Sequence, residues 1–193
     1  MKEIELTEAD DDKIEEFAGN LFMAGLAAME LANVELGVRL GLYETLAGAG
    51  AFDASRLAKE AGIGERYAKE WLEQQAVAGV LEVDADGRFT LPNAHAHVLI
   101  DDNSEACMKP VAAVIPWLKG SIDIMEQAFR TGEGVAFGAF DLRDVQAAFT
   151  RPVFVHHLTQ AWLPALPDVQ AKLDSSEPVR IRRLVAARAC RAS

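Results

Sequence analysis

Cysteine is nearly missing from this sequence. Among 193 residues there are two, Cys107 and Cys190, far apart in the chain. No disulfide framework, zinc knuckle or CxxC redox pair can be written from them. Basic charge is scarce as well. Lys and Arg number 19 against 30 Asp and Glu, giving a net charge of −11 and a pI near 4.8. Nucleic acid and anionic membranes reward clusters of lysine and arginine, so this balance speaks against both as partners. Long hydrophobic runs are lacking too: Leu21–Met29 and Val111–Leu118 are the longest, short of the ~20 residues that a bilayer-spanning helix needs. The amino terminus, MKEIELTEADDDKIEE, is acidic where a secretory signal is basic and then apolar. These absences lead us to expect a cytoplasmic protein without a membrane partner.

What is present suits a globular core. Apolar residues make up 50% and charged residues 25%, as in ordinary soluble domains. Ile14, Phe17, Leu21, Ala24 and Ala28 alternate spacings of three and four, the stripe of an amphipathic helix that can also serve as a coiled-coil seam. Phe22, Leu26 and Met29 add a second apolar face. A helix apolar on two faces needs cover from two sides, and a second subunit is one way to supply it, so a homodimer is expected beside simple packing within the monomer. A buried helix follows, carrying Leu31, Val34, Val38, Leu42 and Leu46 up to the stop at Gly48 and Gly50.

Asp53 is placed to N-cap a short helix whose inner face is Leu57, Ala58 and Ala61. The turn Gly62-Ile63-Gly64 leads into a helix from Glu65 to Ala78, with Ala68, Trp71, Leu72 and Ala76 inward and Gly79 at its end. Two short alternating runs, Val80–Val83 and Arg88–Leu91, flank Asp84-Ala85-Asp86-Gly87, which is β-hairpin chemistry. The fold class expected is therefore mainly α: a winged helix-turn-helix with a small β-hairpin wing, plus flanking helices. Beyond Pro92 the pattern is helical again. We expect Ser104–Gly120 to be broken at Pro110 and Pro116, a helix over Ser121–Arg130, a loop around Thr131–Gly138, and helices over Asp141–Phe149 and Pro152–Trp162.

A winged helix that reads DNA presents its second helix to the major groove with basic side chains near phosphates. Between Asp53 and Leu91 there are five basic residues and eight acidic ones, and the second helix itself carries Glu65, Glu70 and Glu73 against Arg66 and Lys69. Repulsion from phosphate accompanies every attraction, which disfavours nucleic-acid binding.

The stretches ELGVRLGLYETLAG, DASRLAKEAGIGERYAKEWLEQQAVAGVLEVD and GRFTLP resemble the N-terminal region of bacterial S-adenosylmethionine-dependent class I methyltransferases. TGEGVAFGAF and FVHHLTQAWLPALPDVQAKL are similar to that family's connector. The resemblance runs from about Glu30 to Val179 and implies a winged-helix module that helps form dimers and the substrate chamber, a small-molecule methyl acceptor, and S-adenosylmethionine as cofactor of the whole enzyme. Together with the N-terminal apolar stripe and the arginine-rich C-terminal composition, it gives four segments: a dimerisation helix over 1–30, the winged helix over 31–100, a helical connector over 101–178, and an atypical basic tail over 179–193 where the Rossmann-like domain would begin.

The same family requires a strand ending in D/E-x-G-x-G-x-G, so that bare backbone approaches the cofactor. This chain offers PVRIRRLVAARACRAS there, and Gly138 is its last glycine. No cofactor-binding residue is expected in the chain, which would then be inactive by itself. The tail carries five arginines and no acidic residue; a reading-frame shift near residue 180 explains so abrupt a change, and a genuine basic tail paired with the acidic body is the alternative.

Candidate chemistry is sparse. Phe137, Phe140, Phe154, His157 and Trp162 are candidates for the wall of an apolar substrate pocket, which the resemblance to the connector implies; for each of them ordinary core packing is the competing reading. No catalytic residue and no metal ligand set is assigned. His156 and His157 are adjacent, so on a helix their rings point about 100° apart. His95 and His97 would share one face only on a strand, and no third ligand completes a zinc set. The competing functional class is a non-enzymatic winged-helix regulator or protein-interaction module.

Overall fold

The computed structural model describes residues 7–136, 138–140 and 143–175. These fall into two compact units that part after Pro152; the basic tail lies outside the described residues.

The first unit begins with α1 (Glu8–Arg39), one unbroken helix of 32 residues. Thr7 opens it. Its hydroxyl donates to Asp10 Oδ2 at 2.7 Å, and its backbone N–H donates to the same oxygen at 3.1 Å, so the carboxylate at the third helical position occupies donors at the start of the helix. Those bonds and Lys13 hold the Asp10 carboxyl below its ordinary range. Sequence periodicity suggested a second helix running on to Leu46. Instead the chain breaks at Gly41, which takes φ = 65°, and resumes as the short α2 (Leu42–Leu46). A left-handed residue cannot continue a right-handed helix.

Then come α3 (Ala54–Ala61) and α4 (Glu65–Val77). Asp53 caps α3 as expected, accepting the Arg56 N–H at 2.8 Å. Strands β1 (Glu82–Val83) and β2 (Phe89–Thr90) pair antiparallel, Glu82 with Thr90 and Val83 with Phe89. The ladder is shorter than the alternating runs suggested because Val80 and Leu81 donate their N–H groups to the Gln75 carbonyl at 2.9 and 3.2 Å. Phe52 adds a third rung that the sequence did not announce, exchanging both backbone bonds with Phe89 at 2.8 Å.

One core unites these elements. Leu42, Tyr43 and Leu46 of α2 meet Phe52, Leu57, Leu72, Leu81, Phe89 and Leu91, all buried. Two aromatic hydrogen bonds lace it: the Tyr43 hydroxyl donates to Gln75 Oε1 at 2.5 Å, and Trp71 Nε1 donates to the Asn33 carbonyl at 3.1 Å. Burial, with the Glu44 charge adding to it, pushes the Tyr43 phenol well above its ordinary pKa.

The connector is more continuous than the prolines suggested. α5 (Asn93–Leu99) and α6 (Lys109–Ala112) precede α7 (Val114–Thr131), which runs straight through Pro116. Pro116 is the third residue of α7, where its N–H would have no helical acceptor, so nothing is lost. α7 ends at Gly132 with φ = 72°. α8 (Arg143–His157) likewise continues through Pro152, crossing from the first unit into the second. A π-helical turn, Leu158–Trp162, and α9 (Pro167–Asp174) complete the second unit.

α1 is also long and apolar enough, by length and composition, to cross a membrane, which the uninterrupted runs did not suggest. Asn20, Glu30 and Asn33 interrupt those runs while leaving the surrounding helix apolar on average. From Asp11 to Gly25 every residue of α1 is exposed.

Candidate functional site: helix surface, connector cleft and aromatic cluster

The second helix of a winged helix is where DNA readers place their positive charge. Here it is α4, and its two cations are both engaged along the helix, Arg66 with Glu70 at 2.9 Å and Lys69 with Glu73 at 3.8 Å. In the wing, Arg88 reaches Asp84 at 3.1 Å and Asp86 at 3.4 Å. Pairs at i, i+4 are weak, about 0.3–0.5 kcal/mol each when exposed. Their consequence is electrostatic: helix and wing present alternating charge rather than a positive surface.

In the connector of the first unit, α7 with Ala139, Phe140 and Val145 forms an open cleft of about 360 Å³, lined also by Pro116, Trp117, Gly120 and Ile124. Trp117 and Phe140 meet edge to face with ring centroids 5.9 Å apart. The cleft is apolar; Ser121, its polar neighbour, spends its hydroxyl on the Trp117 carbonyl at 2.8 Å. Trp117 Nε1 is buried and finds no hydrogen-bond partner among the described residues.

Of the five residues expected to line a pocket, Phe137 lies outside the described residues, and Phe140 lines this cleft. Phe154, His157 and Trp162 come together in the second unit. Phe154 packs edge-on to Trp162 at 5.4 Å, and the His157 ring is offset-parallel to Trp162 at 6.3 Å. His157 and Trp162 are five positions apart. On an α-helix five steps of 100° would leave them 140° apart; the wider π-turn, closed by Leu163 N–H to the Leu158 carbonyl at 2.9 Å, returns Trp162 to the face of His157.

The structure also assembles a group that sequence spacing did not suggest. Ser104 Oγ lies 2.8 Å from His97 Nε2, and His97 Nδ1 lies 3.5 Å from Asp101 Oδ2. The order Ser-His-Asp is that of a nucleophile, base and orienter. Its setting is that of a helix-end cap: Ser104 is 6% exposed, and its hydroxyl also accepts the Ala106 N–H at 3.1 Å. The signal available in sequence was His97-x-x-x-Asp101-x-x-Ser104 at the end of a helix, a spacing that the pairing of His95 with His97 passed over. α5 instead turns those two histidines to different faces, His95 Nδ1 going to the Val80 carbonyl at 2.9 Å. Among the described residues no three His, Cys, Asp or Glu side chains gather as a metal set.

The order of helices, the glycine turn between α3 and α4, and the two-stranded wing match a known module. Residues 27–100 match the family model of the Rv2258c-like winged HTH domain. No curated protein matches the sequence significantly. Among solved structures, the mitomycin 7-O-methyltransferase MmcR is 22% identical, with a TM-score of 0.53, over 77% of this chain and 47% of its own. The N,N-8-amino-8-demethyl-D-riboflavin dimethyltransferase RosA from Streptomyces davawensis is 19% identical, with a TM-score of 0.54, over 70% of this chain and 44% of its own. PigF, solved with SAH, is 21% identical, with a TM-score of 0.52, over 77% and 44%. These likenesses carry the fold beyond the winged HTH domain into the connector. This chain spans less than half the length of each of them.

Proposed function

We propose that the chain is the N-terminal part of an S-adenosylmethionine-dependent methyltransferase acting on a small molecule, and that its task is to dimerise and to wall the substrate chamber. The observation that carries this reading is the shared fold: two methyltransferases and PigF, solved with SAH, align over 70–77% of this chain, yet the alignment uses only 44–47% of theirs. In this reading the division into a dimerisation helix (1–30), winged helix (31–100), connector (101–178) and basic tail (179–193) holds as a division of labour. The chain works as a homodimer in the cytoplasm. Phe140 in the α7 cleft and Phe154, His157 and Trp162 around the π-turn, with Phe137, furnish apolar wall. Large aromatic side chains suit that role because they bury much area in few rotamers.

The residues described do not fit the cofactor. A nucleoside sulfonium needs bare backbone at its methionine end, and the glycines with positive φ, such as Gly41, Gly62, Gly87 and Gly132, all serve helix ends and turns. In this reading the described residues supply no cofactor site, and methyl transfer draws on a domain that they do not form. Titration calorimetry of the chain with S-adenosylmethionine is expected to show no binding at micromolar concentration; saturable micromolar binding would overturn the assignment of roles. A gel-shift assay on mixed-sequence DNA at low salt is expected to show no retardation, since the cations of α4 are paired with carboxylates. Tight, salt-dependent retardation would instead make the chain a winged-helix regulator.

A further inference from the structure

Gly120 stands in the interior of α7, where only proline is a poorer helix former than glycine. Packing does not call for it, because a Cβ added there would meet nothing within 4 Å. Gly120 lines the α7 cleft, so its missing side chain leaves that part of the cleft bare. Trp117, three residues earlier on the same helix, gives a second signal. Its Nε1 is buried and has no partner. A buried donor without an acceptor is rare, since nothing replaces the water it has lost. Ser121, beside it, donates its hydroxyl to the Trp117 carbonyl, and Phe140 presents a ring tilted by 63° to the indole. None of the described residues that line the cleft is charged.

We propose that this cleft is a subsite for a neutral, planar ring compound bearing a carbonyl, whose oxygen accepts a hydrogen bond from Trp117 Nε1 while the ring fills the space that Gly120 leaves open. The proposal rests on the reading of the connector as a wall of the substrate chamber, and it names the chemistry which that wall selects. The unpaired protein group is a donor, so it selects an acceptor. A carbonyl oxygen supplies one and brings no proton of its own that apolar surroundings would leave unpaired. An uncharged lining disfavours carboxylates, phosphates and ammonium groups, because they would lose water and find no opposite charge. The tilted indole and phenyl rings form a corner, with centroids 5.9 Å apart, and a flat ring can pack against it offset or edge-on. The volume of about 360 Å³ lies near the lower end for small-molecule pockets, which suits two or three fused rings. Because Trp117 Nε1 is closed to bulk water, the acceptor reaches it only on a ligand that seats against the indole and displaces its present cover. The bond then forms in a low-dielectric setting, where it is stronger than in water.

The test titrates the full chain with fluorenone, a planar three-ring ketone, and with fluorene, the same frame with a methylene in place of the carbonyl. Binding is followed by calorimetry and by the indole N–H signals in nitrogen-15 NMR, with Trp117→Phe identifying the signal of Trp117. Fluorenone is expected to bind about tenfold more tightly than fluorene, the scale of one hydrogen bond to a buried donor, and to move the Trp117 indole proton downfield. Trp117→Phe keeps a ring and deletes the donor, so it should bring fluorenone down to the affinity of fluorene. Gly120→Leu should abolish binding of both compounds by filling the cleft, with its helix content checked by circular dichroism. Gly120→Ala should raise the thermal midpoint of the free chain, as an alanine in open space on a helix does. Equal affinity for the two compounds, an unmoved Trp117 signal, or undiminished binding by folded Gly120→Leu each overturns the subsite, and so does the absence of saturable binding. If Gly120→Leu fails to fold, the Trp117 signal of the unsubstituted chain decides. Both probes are titrated without S-adenosylmethionine, so their failure strikes the subsite alone, whereas micromolar cofactor binding by this chain strikes the role assigned to it above.

Discussion

Gly37 shows how one missing side chain organises a crossing of helices. It sits in the C-terminal part of α1, where an added Cβ would meet Trp71 Cζ2 at 2.6 Å and Tyr43 Cε2 at 2.8 Å. Replacing a helical glycine by alanine ordinarily stabilises by about 1 kcal/mol. Here two rings locked by hydrogen bonds to Asn33 and Gln75 cannot retreat, and overpacking of this kind costs about 1–3 kcal/mol. Gly37→Ala is therefore expected to lower the urea midpoint at unchanged m-value, and a raised midpoint would show that the rings have room to move. This residue also marks the limit of sequence reading. Its neighbours on the stripe, Leu31, Val34 and Val38, announce a buried helix, but nothing in the spacing tells that a glycine is needed opposite Trp71, whose position depends on a fold not yet built. Gln75 was hidden for a related reason: a polar residue at a helical position next to Trp71 and Leu72 reads as surface until Tyr43 and the wing residues Val80 and Leu81 are found to bond to it.

At the scale of elements, local chemistry was legible wherever the determinant was itself local. The Asp53 cap and the Gly62 and Gly79 helix ends stand as the residue types dictate, and so does the hairpin at Asp84–Gly87. The continuity of α7 through Pro116 and of α8 through Pro152 was not legible. Whether a proline stops a helix depends on where the helix begins and on what replaces the lost bond, and both are tertiary matters. The π-turn was invisible for the same reason, although it decides that His157 and Trp162 share a face. The wing offers a pH test. Asp84 Oδ1 accepts the N–H groups of Arg88 at 2.9 Å and Asp86 at 3.0 Å, and the first of these, with the Arg88 charge as a smaller cause, holds its carboxyl below the ordinary value. A carboxyl depressed in the folded state contributes stability above its unfolded pKa of about 3.9 and loses it as pH falls through the folded value. An NMR titration is expected to show Asp84 as the carboxylate below pH 3.9, with the Asp86 and Arg88 amide shifts following its protonation. Asp84→Asn should remove that acid-side transition; if the amide shifts move at the same pH without the carboxyl, the hairpin is governed by another group.

Across the whole molecule the distribution of burial differs sharply between the two units. The first contains the fully buried cluster of Leu42, Tyr43, Phe52, Leu57 and Leu72. Among the described residues from Val153 onward none is buried, and the second unit is held by the rings of Phe154, His157 and Trp162 and by helix hydrogen bonds. Amides exchange through local opening where few apolar contacts oppose it, and only through global unfolding where a core must be broken. Hydrogen exchange followed by mass spectrometry should accordingly find α3 and α4 protected to the limit set by global stability, and α9 exchanging orders of magnitude sooner. The N-terminal half of α1 discriminates further. As a lone helix with exposed apolar faces it would be marginal in water, so in a monomer residues 11–25 should exchange nearly as fast as α9. In a dimer that covers α1, those residues should gain protection, rising with protein concentration. If residues 11–25 exchange at one rate at every protein concentration, no second copy covers α1.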